Sequence, residues 1–308
     1  MQTKAASWSA SIRRASAWLL LPGVASLAAV SAAQSSAVSP YGDPVELVRR
    51  AVHNEIDASH DSGAHFMFRG TKTTPKGSTT EIYVETNDAT AGLIVAYDGK
   101  PLSPDQRRAE QARVQRFVSN PEELRKKRAQ ERENDERTSG IVRALPDAFL
   151  YEYAGEETGA AGIGRVGDPL VKLKFRPNPG YKPPSRVEEV LRGMQGYVLV
   201  DVVHQRIASI DGTLFKDVTF GWGILGRLDH GGHFVVHQEA VENDFWEISS
   251  MRLHFTGKIL LVKSISIEST EVFGGFKQVP SDLSFAQGLE LLRKEEAAEA
   301  VAGNHVRK

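Results

Sequence analysis

Apolar and polar positions along the chain alternate with two different periods, and each period marks a region. Near the N-terminal end Val45, Val48, Val52 and Ile56 recur at steps of three and four. That spacing predicts a helix over 44–59 with one apolar face, and Asp43-Pro44 supplies a good start for it. Period two follows in "HFMFRG" (65–70), "TTEIYVET" (79–86) and "AGLIVAYDG" (91–99), short strands punctuated by Asn87-Asp88 and Asp98-Gly99. Most of the remainder alternates in the same way: strands are predicted at 147–155, 168–177, 196–203, 205–214, 233–241, 244–255 and 258–269. The late strands are separated by short turns with no room for crossover helices, which means an antiparallel meander. A Pro/Gly loop at 176–186 precedes a short apolar-periodic helix at 187–194, and Leu283–Ala300, with helical spacing and heavy charge, is expected as a frayed C-terminal helix with a polar tail after it.

Two segments depart from this pattern. Residues 102–140 carry ten Lys/Arg and eight Asp/Glu with few large apolar side chains. Ser103-Pro104 and Asn120-Pro121 each read as a helix start, so the segment is expected as a solvated helical excursion whose mixed charges pair along its surface. A basic binding surface is the sharper alternative; in an interaction protein the segment, with the apolar residues of 220–226, would dock an envelope partner, and deletion of 102–140 should then abolish that partner without unfolding the domain. The other departure is "FGWGILGRLDHGGHFVVH" (220–237), which contains a G-x-G-x-x-G pattern at Gly221, Gly223 and Gly226 and three histidines.

The glycine pattern works as a dinucleotide site only where it opens a helix. Gly226 leads to a turn and a strand, and so does a second match at Gly162, Gly164 and Gly167. Neither reads as a nucleotide site. Among the histidines, His233 and His237 lie on one face of a strand about 13 Å apart, too far for a single ion whose ligands sit about 2 Å away. Alternation instead places His233, His237 and Glu239 outward and Phe234, Val236 and Ala240 inward. Asp201 and Asp211 read as ordinary turn formers beside strands. No G-x-S-x-G, H-E-x-x-H, P-loop or calcium-loop pattern is present. No catalytic residue, metal ligand or cofactor is therefore assigned. A hydrolase or metal enzyme using His230, His237, His254 and Glu239 is kept as the least favoured alternative.

Composition narrows the class. The chain has 308 residues, 25% charged, and no cysteine, which excludes disulfides, thiolate metal sites and a lipidated N-terminal cysteine. The net charge of −1 gives no reason to expect nucleic acid as a partner. Residues 1–33 read as a cleavable signal peptide: Lys4, Arg13 and Arg14, then the apolar "AWLLLPGVASLAAV", then small residues. Removing them takes away three positive and no negative charges, leaving −4. The expected location is the periplasm or the cell exterior, with no transmembrane segment in the mature chain.

With those features in place, "GYVLVDVVHQRIASIDGTL" (196–214) resembles the strand, Asp, turn, basic-plus-Ile, strand segment of the bacterial lipoprotein carrier and receptor (LolA/LolB-like) superfamily, here with Asp201, Arg206 and Ile207. The resemblance covers Val45–Asn87 and Phe149–Pro280. It implies an α+β fold: a strongly curved antiparallel β-sheet, or half-barrel, covered by helices, here as one domain over 41–280 with a charged helical insertion at 102–140 and a C-terminal helix and tail over 281–308. It also implies a non-enzymatic binding protein for lipid or the acyl chains of lipoproteins. The apolar residues expected to line its groove are Trp222, Ile224, Leu225, Phe234 and Trp246. An envelope structural or interaction protein with a filled sheet interior is the alternative.

Overall fold

The computed structural model describes residues 40–305, apart from 61–62, 186, 221–225 and 260–262. The predicted signal peptide lies outside the described residues. Among the described residues four α-helices run over Pro44–His60 (α1), Pro104–Ser119 (α2), Pro121–Ala148 (α3) and Phe285–His305 (α4). None of them is long and apolar enough to cross a membrane. Thirteen strands form one antiparallel sheet, in the order β4-β3-β2-β1-β13-β12-β11-β8-β7-β6-β5. Their ranges are His65–Thr74 (β1), Gly77–Val84 (β2), Ala91–Tyr97 (β3), Lys100–Pro101 (β4), Phe149–Thr158 (β5), Pro169–Pro177 (β6), Met194–Asp201 (β7), Arg206–Leu214 (β8), Val218–Phe220 (β9), Gly226–Leu228 (β10), His233–Ala240 (β11), Trp246–Ile259 (β12) and Lys263–Val279 (β13). The short β9–β10 ladder branches from the end of β12. The sheet does not close on itself, and the α+β fold with its curved antiparallel sheet is the one the resemblance implies.

Local chemistry explains most elements. Asp43 Oδ1 accepts the Val45 N–H at 2.8 Å and starts α1. Ser103 and Gln106 form a reciprocal capping box at the head of α2, and the Asn120 side chain accepts from Glu122 N–H at the head of α3. The predicted helix at 187–194 is a 3-10 turn over Glu188–Gly193. β13 runs well past the predicted end at 269, across Gly274-Gly275. In the structure those glycines form an irregularity against β1, with Gly275 at φ +65°, and the strand continues beyond them.

The two halves of the sheet are covered on opposite faces. Leu47, Val48, Ala51 and Val52 of α1 and Val142, Leu145 and Ala148 of α3 pack on Val171, Leu173, Val200 and Ile207 of β6–β8. The face that carries α1 is called the inner face below. Phe285, Leu289 and Leu292 of α4 and Val114 of α2 pack on Met67, Ile82, Val84 and Leu93 of β1–β3. Cross-strand pairing places those four strand residues on the outer face, opposite Phe66 and Phe68. The first half of α4 is therefore docked and not frayed. Residues 306–308 lie outside the described residues.

The charged insertion is only partly a solvated excursion. Its exposed side carries the expected ion pairs, such as Arg125–Glu122 and Arg137–Glu133. Its buried side seals the edge of the sheet. Glu110 accepts the Ile94 N–H at 2.8 Å, Arg113 donates to the Gly92 carbonyl at 2.9 Å, and Glu131 accepts the Thr90 N–H at 3.1 Å. These contacts occupy backbone groups that an edge strand would leave open to another chain. From that edge α3, 28 residues or about 42 Å long, runs to β5, the opposite edge. The open sheet is thus bridged from edge to edge by the insertion. Tyr151 of β5 donates its hydroxyl to the Leu145 carbonyl at 2.8 Å, and burial pushes its phenol above the ordinary tyrosine range.

Candidate functional site

Arg206 and Ile207, two of the residues that carried the resemblance, help form an anchor between α1 and the sheet. Glu55 of α1 is fully buried and accepts from Arg206 Nε and Nη2 at 2.9 and 2.7 Å and from the Ile207 N–H at 2.9 Å. Gln238 of β11 donates to Glu55 at 3.3 Å and to the Ile207 carbonyl at 2.6 Å. Asn54 reaches the Gln205 carbonyl at 3.0 Å. The Arg206 guanidinium also lies 5.6 Å from the Trp246 ring. A buried charge is tolerable only when paired and hydrogen-bonded, and this one is both. Arg206 was legible in the sequence. Its partner Glu55 was not, because 151 residues separate them.

Beyond the reach of α1 the inner face changes character. Ile210 belongs to the packed cluster under α1, and it pairs with Val236. Val236 pairs with Met251, Phe234 with Leu253, Leu253 with Ser269, and Phe255 with Ile267. Directly paired residues share a face, so Phe234, Val236, Leu253, Phe255, Ile265 and Ile267 form one inner strip across β11–β13. All six are half-buried. α1 packs on β5, β7 and β8. Phe234, Phe255 and Ile265 pack against the rim of the α1 cluster, and Val236 against an aromatic cluster of Phe66, Phe68, Phe245 and Phe273. On the same face Lys72 and Glu271 pair at 2.8 Å, with the carboxylate buried and the ammonium half exposed.

Of the five residues expected to line a groove, Phe234 lies on this strip. Trp246 is 1% exposed and packs instead with Leu170, Leu199 and Ala208, so the structure does not bring those two together. Trp222, Ile224 and Leu225 lie outside the described residues. The residues that flank them, Phe220 and Gly226, pair in the β9–β10 ladder. Gly226 therefore begins a strand, and β6 follows Gly167, so neither glycine pattern opens a helix.

The histidines of the opening cluster have separate partners. His230 Nδ1 lies 3.0 Å from Asp217, His233 Nε2 2.8 Å from Asp211 and His237 Nδ1 2.9 Å from Ser209 Oγ. Glu239 accepts the Gly162 N–H at 2.8 Å. His233 and His237 share the outer face with Asp211 and Ser209, as alternation predicts. Burial, then the Arg252 charge, lowers the His237 pKa below its ordinary value of 6.5. Asp211 stands within β8 facing His233 and is not a turn former. Asp201 is one: its Oδ1 accepts the Val203 and His204 N–H groups at 2.9 and 2.8 Å. Sequence reading missed that the same carboxylate meets Asp168 and His204. These three are the only group of three or more ligand-type side chains gathered closely enough for a metal ion among the described residues.

A cavity of about 300 Å³ lies between β2–β3 and the insertion, lined among others by Glu81, Tyr83, Arg113, Phe117, Lys127 and Glu131. Its charges are paired, Arg113 with Glu110 and Lys127 with Glu131. It is polar, unlike the inner strip.

No family model matches the chain, and no curated protein matches it. Two solved structures are similar to it. One is a domain described as an outer membrane lipoprotein-sorting protein, from Vibrio parahaemolyticus, at 8% identity over 75% of this chain and 92% of that one, with a TM-score of 0.27. The other is a DUF1329 family protein from Desulfovibrio piger, at 14% identity over 79% of this chain and 96% of that one, with a TM-score of 0.30. The likeness is at most one of fold, and at these scores neither structure bears on function.

Proposed function

We propose that the protein binds an amphiphile, a lipid or the acyl chains of a lipidated protein, against the inner face of its curved sheet, and that it works in the cell envelope as a carrier or sensor without catalysing a reaction. The observation that carries this reading is the inner strip of Phe234, Val236, Leu253, Phe255, Ile265 and Ile267, apolar and half-buried where the neighbouring strands are sealed by α1. Each methylene laid on such a surface contributes up to about 0.8 kcal/mol, less the cost of ordering the chain. The Lys72–Glu271 pair on the same face offers a polar end for a headgroup. Trp222, Ile224 and Leu225, in the segment between β9 and β10, are proposed as further contacts.

Lipid extraction and mass spectrometry of the natively purified mature chain test the reading. A co-purifying lipid that is lost in Leu253→Asp, with the fold retained by circular dichroism, supports it. Lipid-free protein that also fails to take up a fluorescent fatty acid defeats it.

A further inference from the structure

We propose that Asp168, Asp201 and His204 hold a divalent metal ion, of the zinc or manganese type, where the loop before β6 meets the turn from β7 to β8. His204 Nδ1 lies 3.3 Å from Asp201 Oδ1 and 3.2 Å from Asp168 Oδ2, and the three ligand atoms all fall within 4.8 Å of one another. Two ligands each about 2.0–2.1 Å from a tetrahedral ion stand about 3.4 Å apart. The imidazole–carboxylate spacings are therefore those of neighbouring ligands.

The donor set is short of positive charge. Asp201 is 0% exposed, and its Oδ2 is buried with no hydrogen-bond partner. Asp168 Oδ2 is also buried and receives no hydrogen bond of proper geometry. Buried carboxylate oxygens of this kind are costly unless a cation or donor meets them. Arg206 is committed to Glu55. Arg165 Nη1 lies 3.1 Å from His204 Nε2. A guanidinium only donates, so Nε2 accepts and the ring carries its N–H at Nδ1, against Asp201 Oδ1, which leaves Asp168 Oδ2 beside it without a donor. A divalent ion supplies the missing charge. Mixed imidazole and carboxylate donors suit zinc and manganese.

Binding through Nδ1 moves its proton. Nδ1 releases a proton to water as the metal–nitrogen bond forms, and Nε2 takes one up, leaving the ring neutral. Arg165, which also pairs with Asp244 and is 43% exposed, then turns from His204 to Asp244 alone. The surroundings are already fixed: two backbone N–H groups orient Asp201, and Gly164 of the loop bonds Gln238 and Ala240 of β11. His204 and Asp168, 22% and 25% exposed, leave an entry route and room for water as further ligands.

The test uses the tag-free mature chain, stripped with chelator and titrated with Zn²⁺ and with Mn²⁺ against a chromophoric competitor. One equivalent binds. Asp168→Asn and His204→Gln, both at partly exposed positions and checked by thermal melting, weaken binding by more than the ~10–100-fold that loss of an outer-shell partner causes. His230→Ala and His254→Ala leave it unchanged. Arg165→Met tightens it, because the competing donor is gone. Absence of binding by the wild type, or binding that survives the double change at 168 and 204, overturns the site. Unchanged or weaker binding in Arg165→Met overturns the proton step.

Discussion

The inner face of the sheet has two regions with one pattern and two fates. Under α1, Val171, Leu173 and Val200 are 0% exposed. A few strands away Leu253, Phe255, Ile265 and Ile267 alternate just as regularly and remain half-buried. The difference lies in what covers them. α1 is held down by the Glu55–Arg206–Gln238 anchor and by the end of α3, both at the β5–β8 side. Apolar alternation thus marks which side of a strand faces inward, and helix placement decides whether that side becomes core or surface. The half-buried remainder is the surface proposed above to take a ligand.

Each region can be perturbed separately. Glu55→Ala leaves the Arg206 guanidinium buried and unpaired, and should destabilise the fold by about 3–5 kcal/mol, read from denaturant unfolding. Leu173→Ala, under α1, should lose about 2–5 kcal/mol. Leu253→Ala, on the open strip, should lose about 1 kcal/mol or less while weakening uptake of a fluorescent fatty acid. Equal stability losses at 173 and 253 would mean that the strip is sealed core and would remove the contrast. At the sheet edge, Glu110→Ala leaves the Ile94 N–H unsatisfied, with an expected cost of about 1–3 kcal/mol. Light scattering on that variant should show faster self-association, since the edge is opened.

The smallest effect is a pH dependence on the outer face. The His237 pKa is lowered in the folded chain, chiefly by burial. The unfolded chain therefore binds that proton first. The contribution of neutral His237 is fully present above its ordinary value of 6.5 and declines as pH falls below it, until the folded-state pKa is passed. His237→Asn should flatten the fall in melting temperature on the acid side of neutrality. An unaltered acid slope would assign it to other groups.

Much of this was readable beforehand. α1 occupies almost the span that its three-and-four spacing predicts, because its stripe of Val45, Val48 and Val52 has one face to bury. His233 and His237 are displayed outward beside Phe234 and Val236 inward, since period two leaves no other choice on a strand. Other features depend on distant partners. The Glu110, Arg113 and Glu131 side chains look like any others in a charged helix until β3 lies beside them. Asp168 and His204 are 36 residues apart and meet because β6 and β7 form a hairpin whose end faces the turn into β8. Trp246 was expected on the groove, yet it packs with Leu170 and Leu199.

By itself, the amino-acid sequence determined the periods: which segments are helix or strand, which side of each strand is greasy, and that no cysteine chemistry is available. Those properties are local, set by the backbone repeat and by the hydrophobicity of a few neighbours. Tertiary structure decided which greasy side is roofed, which carboxylates are drawn together and which helix guards an edge. These are outcomes of contacts between residues far apart in the chain, and the energy of such a contact depends on burial and on the partner, neither of which is written at either position alone.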